Sequence, residues 1–228
     1  MKRRQLILAR FFIETLIVAA LVAVLLRFFV VSAYRIPTGA MLPTLATGDF
    51  VLVWKLPFGV RLPWSDKKNL PGRPPQRGEV VVFRYPAGSA SHFVKRIVAL
   101  PGDRLEIRDR RLYVNNVAAR YEESEQKALL AEGADFYRTL KEELLGSQRD
   151  ILIRRGASDS RFGPMVVPPD HVFVLADNRD SSDDSRYWGP IPFSDIEGQV
   201  AVVWISLDWG QELSIPRVRW SRVLQPVH

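Results

Sequence analysis

The sequence predicts a mainly β protein carried on one N-terminal transmembrane helix, with a helical insertion inside the β part. Three observations lead there. An apolar segment, Phe11 to Val31, sits near the start of the chain. Beyond it, short runs rich in Val, Ile and Phe are separated by Gly, Pro, Asn and Asp, which is the punctuation of strands and tight turns. One stretch, Ser124–Gly146, breaks that pattern with Ala, Leu, Glu, Lys and Gln, all good helix formers. The 228 residues, 47% of them hydrophobic, suffice for an anchor and one or two small domains.

The apolar segment is interrupted only by Glu14, Thr15 and Arg27. At about 1.5 Å per residue a helix over residues 11–31 spans roughly 30 Å, the thickness of a bilayer core. Arg10 and Glu14, four apart on one face, can offset each other near one interface, and Arg27 can extend outward near the other. The segment is long for a cleaved signal sequence, whose apolar part is about 7–15 residues, and its centre is apolar all round, unlike a helix lying in the membrane plane. Lys2, Arg3, Arg4 and Arg10 mark residues 1–10 as cytoplasmic, which puts everything after residue 31 on the outer side of the membrane.

Strands are expected at Phe50–Trp54, Gly78–Tyr85 and His92–Leu100, then in a hairpin of Arg104–Ile107 and Arg111–Val114 around Asp109-Arg110. Asn115-Asn116 opens the next turn, and Pro101-Gly102-Asp103 is a turn signature. Met165–Val167, Val172–Ala176 and Gln199–Ile205 complete the strands. Leu56–Trp64 reads as a loop able to reach lipid headgroups or simply to pack, and Lys67–Arg77 as a polar surface loop. In the insertion, Leu129, Phe136, Leu140 and Leu144 would form one helical stripe.

Composition excludes several classes. With no cysteine there is neither a disulfide framework nor a thiolate metal site. His92, His171 and His228 are far apart, so no metal and no organic cofactor is implied. The net charge of +7 is scattered rather than gathered into a basic stripe with stacking aromatics, so nucleic acid is not an expected partner.

Four segments carry chemistry. The apolar anchor comes first. Close behind it lies Ile36-Pro37-Thr38-Gly39-Ala40-Met41-Leu42-Pro43-Thr44-Leu45, followed by Gly48-Asp49. The third comprises Arg77–Phe83, Val94-Lys95-Arg96-Ile97-Val98 and Leu100–Asp103, and the fourth is Asp177–Gly189, rich in Asp, Ser and Arg. In this order, behind a single anchor, they resemble type I signal peptidases, the leader peptidases that use a Ser/Lys dyad. The resemblance covers most of the chain except about Val117–Arg155, and it implies a signal-peptidase-like β domain laid out as residues 32–116 and 156–228 around an insertion at 117–155.

The resemblance also implies roles. Residue 40, just before Met41, takes the place of the nucleophilic serine, but here it is Ala40. Lys95 matches the general base. A free lysine keeps its proton to pH ~10.4, so the site must desolvate it, and Phe93, Val94, Ile97 and Val98 are apolar neighbours suited to that. Thr38 matches the hydroxyl that, with the backbone N–H of Ala40, forms the oxyanion hole. Ser182 matches the residue that orients the lysine, and Asp184 and Arg186 a supporting ion pair. Ile36, Pro37, Met41, Leu45, Phe93 and Val94 match the walls of shallow substrate pockets suited to the small residues at the end of a signal peptide, with the peptide bound as an added strand. Read without the resemblance, Lys95 is a strand lysine, Thr38 a turn cap and Asn178–Arg186 a solvated polar loop or weak cation site.

The implied partners are the signal peptides of exported preproteins, the lipid bilayer and the protein translocation machinery, at a bacterial inner membrane crossed once. Without a hydroxyl at residue 40 the chain is expected to be an inactive form of such a peptidase. The intact base, oxyanion and support positions favour an introduced Ser→Ala change. The alternative is a natural non-catalytic relative that binds signal peptides as a regulator or immunity-type protein.

Overall fold

The structure is a computed structural model that describes residues 2–61, 68–85, 91–125, 134–157, 160–210 and 215–227. Helix α1 (Lys2–Phe29) runs through the apolar segment and stops two residues short of Val31, which already pairs in a strand. From Phe11 to Phe28 its apolar side chains are bare, with Phe12 76% and Leu16 71% exposed. Water would penalise that surface and lipid would not. Arg10 and Glu14 pair at 2.7 Å, as their spacing predicts. The Lys55 amine donates to the Phe28 carbonyl at 3.2 Å, placing a cation at the helix C-terminus, where the macrodipole favours one.

The body is built from β1 (Val31–Arg35), β2 (Asp49–Trp54), β3 (Val80–Arg84), β4 (His92–Ala99), β5 (Arg104–Arg108), β6 (Arg111–Val114), β7 (Arg120–Glu123), β8 (Tyr137–Leu144), β9 (Ser147–Arg154), β10 (Phe162–Val166), β11 (His171–Leu175) and β12 (Ile196–Asp208), with a one-turn helix α2 (Ser185–Trp188) before β12. The main sheet runs β1–β2–β12–β3–β4–β11, antiparallel throughout. The long β12 serves β3 with Ile196–Gln199 and β2 with Gln199–Ser206, bending through register shifts.

β3 is apolar from Val80 to Phe83 because both of its faces are covered there. Val80 and Val82 pack with Ile36, Met41, Leu45 and Val51 on one side. Val81 and Phe83 pack with Ile97, Val174 and Ile196 on the other. A second sheet, β10–β5–β6, encloses a further core of Leu105, Ile107, Leu112, Val98 and Phe173. Its hairpin turns are those the sequence predicts. Asp109-Arg110 (φ 50° and 63°) and Asn115-Asn116 (φ 54° and 65°) both have the positive φ that two-residue hairpin loops require.

The insertion is a correction to the sequence reading. Its described part is a three-stranded antiparallel sheet, β7–β8–β9, and not a helix. The predicted stripe does not form. Phe136 is 64% exposed at the end of a 3₁₀ turn, Leu140 and Leu144 lie on β8, and Leu129 lies outside the described residues. Helix propensity is a weak prior that tertiary context overrides. Here Leu145-Gly146 forms a tight turn with φ 48° and 79°, folding β8 onto the β-branched Ile151 and Ile153 of β9. The region read as loops at 56–77 includes a small hairpin, Gly59–Arg61 against Lys68–Pro71, and residues 62–67 lie outside the described set.

Candidate active site

The segment Ile36–Leu45 links β1 to β2 and is held from below by Asp49. The Ile36 N–H donates to the Asp49 carbonyl at 2.8 Å, and the Gly48 N–H to the Ile36 carbonyl at 2.9 Å. The buried Asp49 carboxylate accepts from the Ala46 N–H at 2.8 Å, from Ser206 at 2.6 Å and from the Arg222 guanidinium. Met41 and Leu45 are sunk in the core at 1% and 0% exposure. The turn is thus rigidly seated, with Pro37, Thr38, Gly39 and Ala40 facing outward.

β4 supplies the opposite wall, and alternation along the strand divides its work. Lys95 points into the cleft and donates to Ser182 Oγ at 2.7 Å. Arg96, its neighbour, points to the other face. It holds Asp177 through Nε at 2.8 Å and Nη2 at 2.7 Å, and donates to the Gly78 carbonyl at 2.7 Å. Asp177 in turn accepts from Thr44 Oγ1 at 2.6 Å, and so joins β4 to the Ile36–Leu45 turn.

The polar loop after β11 closes the site. The Asn178 N–H donates to the Ala40 carbonyl at 3.0 Å and its Nδ2 to the Gly39 carbonyl at 3.1 Å. Asp184 caps α2, accepts from the Ala176 N–H at 3.0 Å and pairs with Arg186 at 2.7 Å. Arg186 also donates to the Arg179 carbonyl at 2.6 Å. Asp184 is fully buried, so this pair fixes the loop's shape far better than an exposed pair could.

These pieces surround a cleft of about 800 Å³ lined by Tyr34–Leu42, Val82, Ser91–Lys95, Asn178 and Ser181–Asp183. Of the predicted site residues, Ile36, Pro37, Thr38, Ala40, Met41, Phe93, Val94, Lys95 and Ser182 all line it. Asp184 and Arg186 stand behind Ser182. Leu45 does not line the cleft; it is fully buried in the core below, packed with Met41 and Ile36. Residues that sequence reasoning passed over are Arg96, Asp177 and Asn178. All three lie inside the recognised segments, but their alternation on β4 and their convergence on residues 39–44 are visible only in space.

Lys95 is 2% exposed. Desolvation pulls its pKa down from 10.5 to about 8, against Asp184, Asp177 and Asp183, which favour the charged amine; Arg186 acts in the same direction as burial. An amine that loses its proton near pH 8 can act as a base in neutral to alkaline solution. Residue 40 offers it only a methyl group. The cleft also presents two strand edges: among the described strands β1 pairs only with β2, and β11 covers β4 only from Arg96 to Ala99. Tyr34 and His92 face each other across the mouth, with ring centroids 5.3 Å apart.

The chain matches the family model of the signal peptidases, peptidase S26, over residues 9–205. It is 40% identical over 200 residues to signal peptidase I of Pseudomonas aeruginosa, a match covering 81% of this chain and 68% of that one. To signal peptidase I of Pseudomonas fluorescens it is 40% identical over 204 residues, with the same coverage. Among solved structures it matches a signal peptidase I from Enterococcus faecalis at 28% identity and TM-score 0.35, over 56% of this chain and 97% of the other. The match takes in most of the apolar helix, the cleft segments and most of the body, and the chain belongs to the signal peptidase family, peptidase S26.

Proposed function

We propose that this chain is the scaffold of a membrane-anchored serine endopeptidase that removes signal peptides from exported preproteins, with its nucleophile replaced by Ala40. The observation that carries the reading is Lys95: a buried amine with a lowered pKa, bonded to Ser182, on a cleft whose other wall ends at residue 40. With a serine hydroxyl at residue 40, the neutral Lys95 amine takes its proton and the oxygen attacks the scissile carbonyl. The Thr38 hydroxyl and the backbone N–H of residue 40 then donate to the negatively charged tetrahedral oxygen. The protonated Lys95 returns its proton to the leaving amine, and water hydrolyses the acyl-enzyme by the same base. Ser182 holds the amine in line, and Asp184 with Arg186 holds the loop bearing Ser182. Ile36, Pro37, Met41, Phe93 and Val94 shape pockets for small side chains.

The bare α1 supports single-pass anchoring in a bacterial inner membrane, with residues 1–10 cytoplasmic, the β body outside and preproteins arriving from the translocation machinery. Ala40 itself favours a second reading, a relative that binds signal peptides without cutting them.

Side-by-side assay of an Ala-x-Ala preprotein in detergent micelles tests both. Ala40→Ser is expected to cleave and the unaltered chain to be slower by a factor on the order of 10⁶. Failure of Ala40→Ser to cleave, with uncleaved preprotein still bound, would leave the binding-only reading.

A further inference from the structure

We infer that the inserted sheet β7–β8–β9 is a positioning element for Ser182, acting through Glu142 and Tyr137, an inference that rests on the peptidase reading of the cleft. Ser182 sits on a loop whose tip is exposed at Ser181 and Asp183, so something must hold it against Lys95. The insertion does so residue by residue. The Leu152 N–H donates to the Asp177 carbonyl at 2.8 Å, and Leu152 bridges Asn178 in parallel. The Arg179 N–H donates to the Leu152 carbonyl at 2.9 Å. Asp180 Oδ2 accepts from the Arg154 N–H at 2.8 Å, and Ser181 Oγ lies 3.1 Å from the Tyr137 hydroxyl. Five consecutive residues leading into Ser182 thus depend on β8 and β9.

Glu142 is the centre of this attachment. It is fully buried on β8 and receives both Nη atoms of Arg179 at 2.7 Å, Arg149 Nε at 2.7 Å and the Tyr121 hydroxyl at 2.8 Å. Arg179 Nε reaches back to the Ala176 carbonyl at 3.1 Å, and the Arg179 carbonyl receives Arg186, the partner of Asp184. Burial alone would raise the pKa of Glu142, but Arg179, Arg149 and the hydrogen bonds from Arg179 and Tyr121 hold it far below the usual carboxylate range. A buried ion cluster is a poor source of stability compared with apolar packing. It does supply direction, because a bidentate guanidinium–carboxylate pair tolerates little rotation, and here that direction is passed to the loop carrying Ser182.

The test uses the full chain. In an Ala40→Ser background, kcat and KM for a signal-peptide substrate are measured with Glu142→Gln and with Tyr137→Phe. In the unaltered chain, the Lys95 titration is followed by NMR of ¹³C-lysine-labelled protein with the same two substitutions. Lys95 faces Ser182, Asp177, Asp183, Asp184 and Arg186, and neither substitution touches any of these directly. Glu142→Gln is expected to lower kcat about tenfold to a hundredfold, the scale of small misplacements, with KM within about twofold. The Lys95 titration should move up toward the ordinary lysine value as the loop admits water. Tyr137→Phe should do the same to a smaller degree with an unchanged melting temperature, and it carries the test alone if Glu142→Gln does not fold. Unchanged Lys95 titration in the folded variants, or a loss of kcat that only matches loss of folded protein, overturns the inference. If Ala40→Ser itself does not cleave, the peptidase reading fails, while the Lys95 titration still decides whether the insertion positions the loop.

Discussion

Lys95 shows how one residue's chemistry is set by its strand. Lys95 sits where β4 passes from its exposed start into its buried half, Lys95 to Ala99, so the amine is desolvated, and the single bond to Ser182 cannot replace full hydration. The stability consequence has a definite sign. The folded pKa is about 8 and the ordinary value 10.5, so the cost of burying the charged amine is fully present below pH 8 and is relieved as pH rises from 8 to 10.5. That gap corresponds to about 3 kcal/mol. Lys95→Met should therefore stabilise the unaltered chain at pH 7 by up to that amount, with the difference vanishing near pH 10.5, as read from urea midpoints across pH. In the Ala40→Ser form the acidic limb of kcat/KM should fall at a pH near 8, and Lys95→Met should abolish turnover. Lys95 and Ser182 were singled out by the resemblance, and the fold places them 2.7 Å apart. Leu45 was legible only as apolar, and whether an apolar residue lines a cleft or lies beneath it depends on packing.

Among the elements, turns and central strands were the most legible. Asp109-Arg110, Asn115-Asn116 and the apolar run of β3 carry their conformations in local chemistry. β8 was not, because its Lys-Glu-Glu-Leu composition favours a helix locally. Its strand conformation depends on β9 and on Arg179, thirty-seven residues away, donating to Glu142. The turn after the Ile36–Leu45 segment gives a sharp test. Gly48 has φ +88°, and a Cβ there would lie 2.0 Å from the Leu207 carbonyl oxygen. Gly48→Ala should cost more than about 2 kcal/mol by urea denaturation, and should also slow cleavage by the Ala40→Ser form, because the same turn seats residues 38–41.

For the whole molecule, the bare apolar helix and the body are separate problems in solvation. The β body has its own cores, and among the described residues none of α1 belongs to a core cluster. Removal of residues 1–29 should leave the thermal unfolding of the body nearly unchanged while abolishing flotation with lipid vesicles under high salt. In spheroplasts carrying the full chain, external protease should reach the C-terminus. A protected C-terminus would reverse the predicted orientation.

The sequence by itself determined the long apolar N-terminal helix, the mainly β character of the body and the order of the site segments. Those properties reside in local periodicity, turn chemistry and recognisable short motifs. Only the tertiary structure decided that the insertion is a sheet, that Leu45 belongs to the core and that Arg96, Asp177, Asn178 and Glu142 brace the cleft. Each of those outcomes depends on a partner distant in the chain: a charged residue reads as solvated until the fold brings a counter-charge to it, and a helix-former stays helical only if no neighbouring strand offers it a better place.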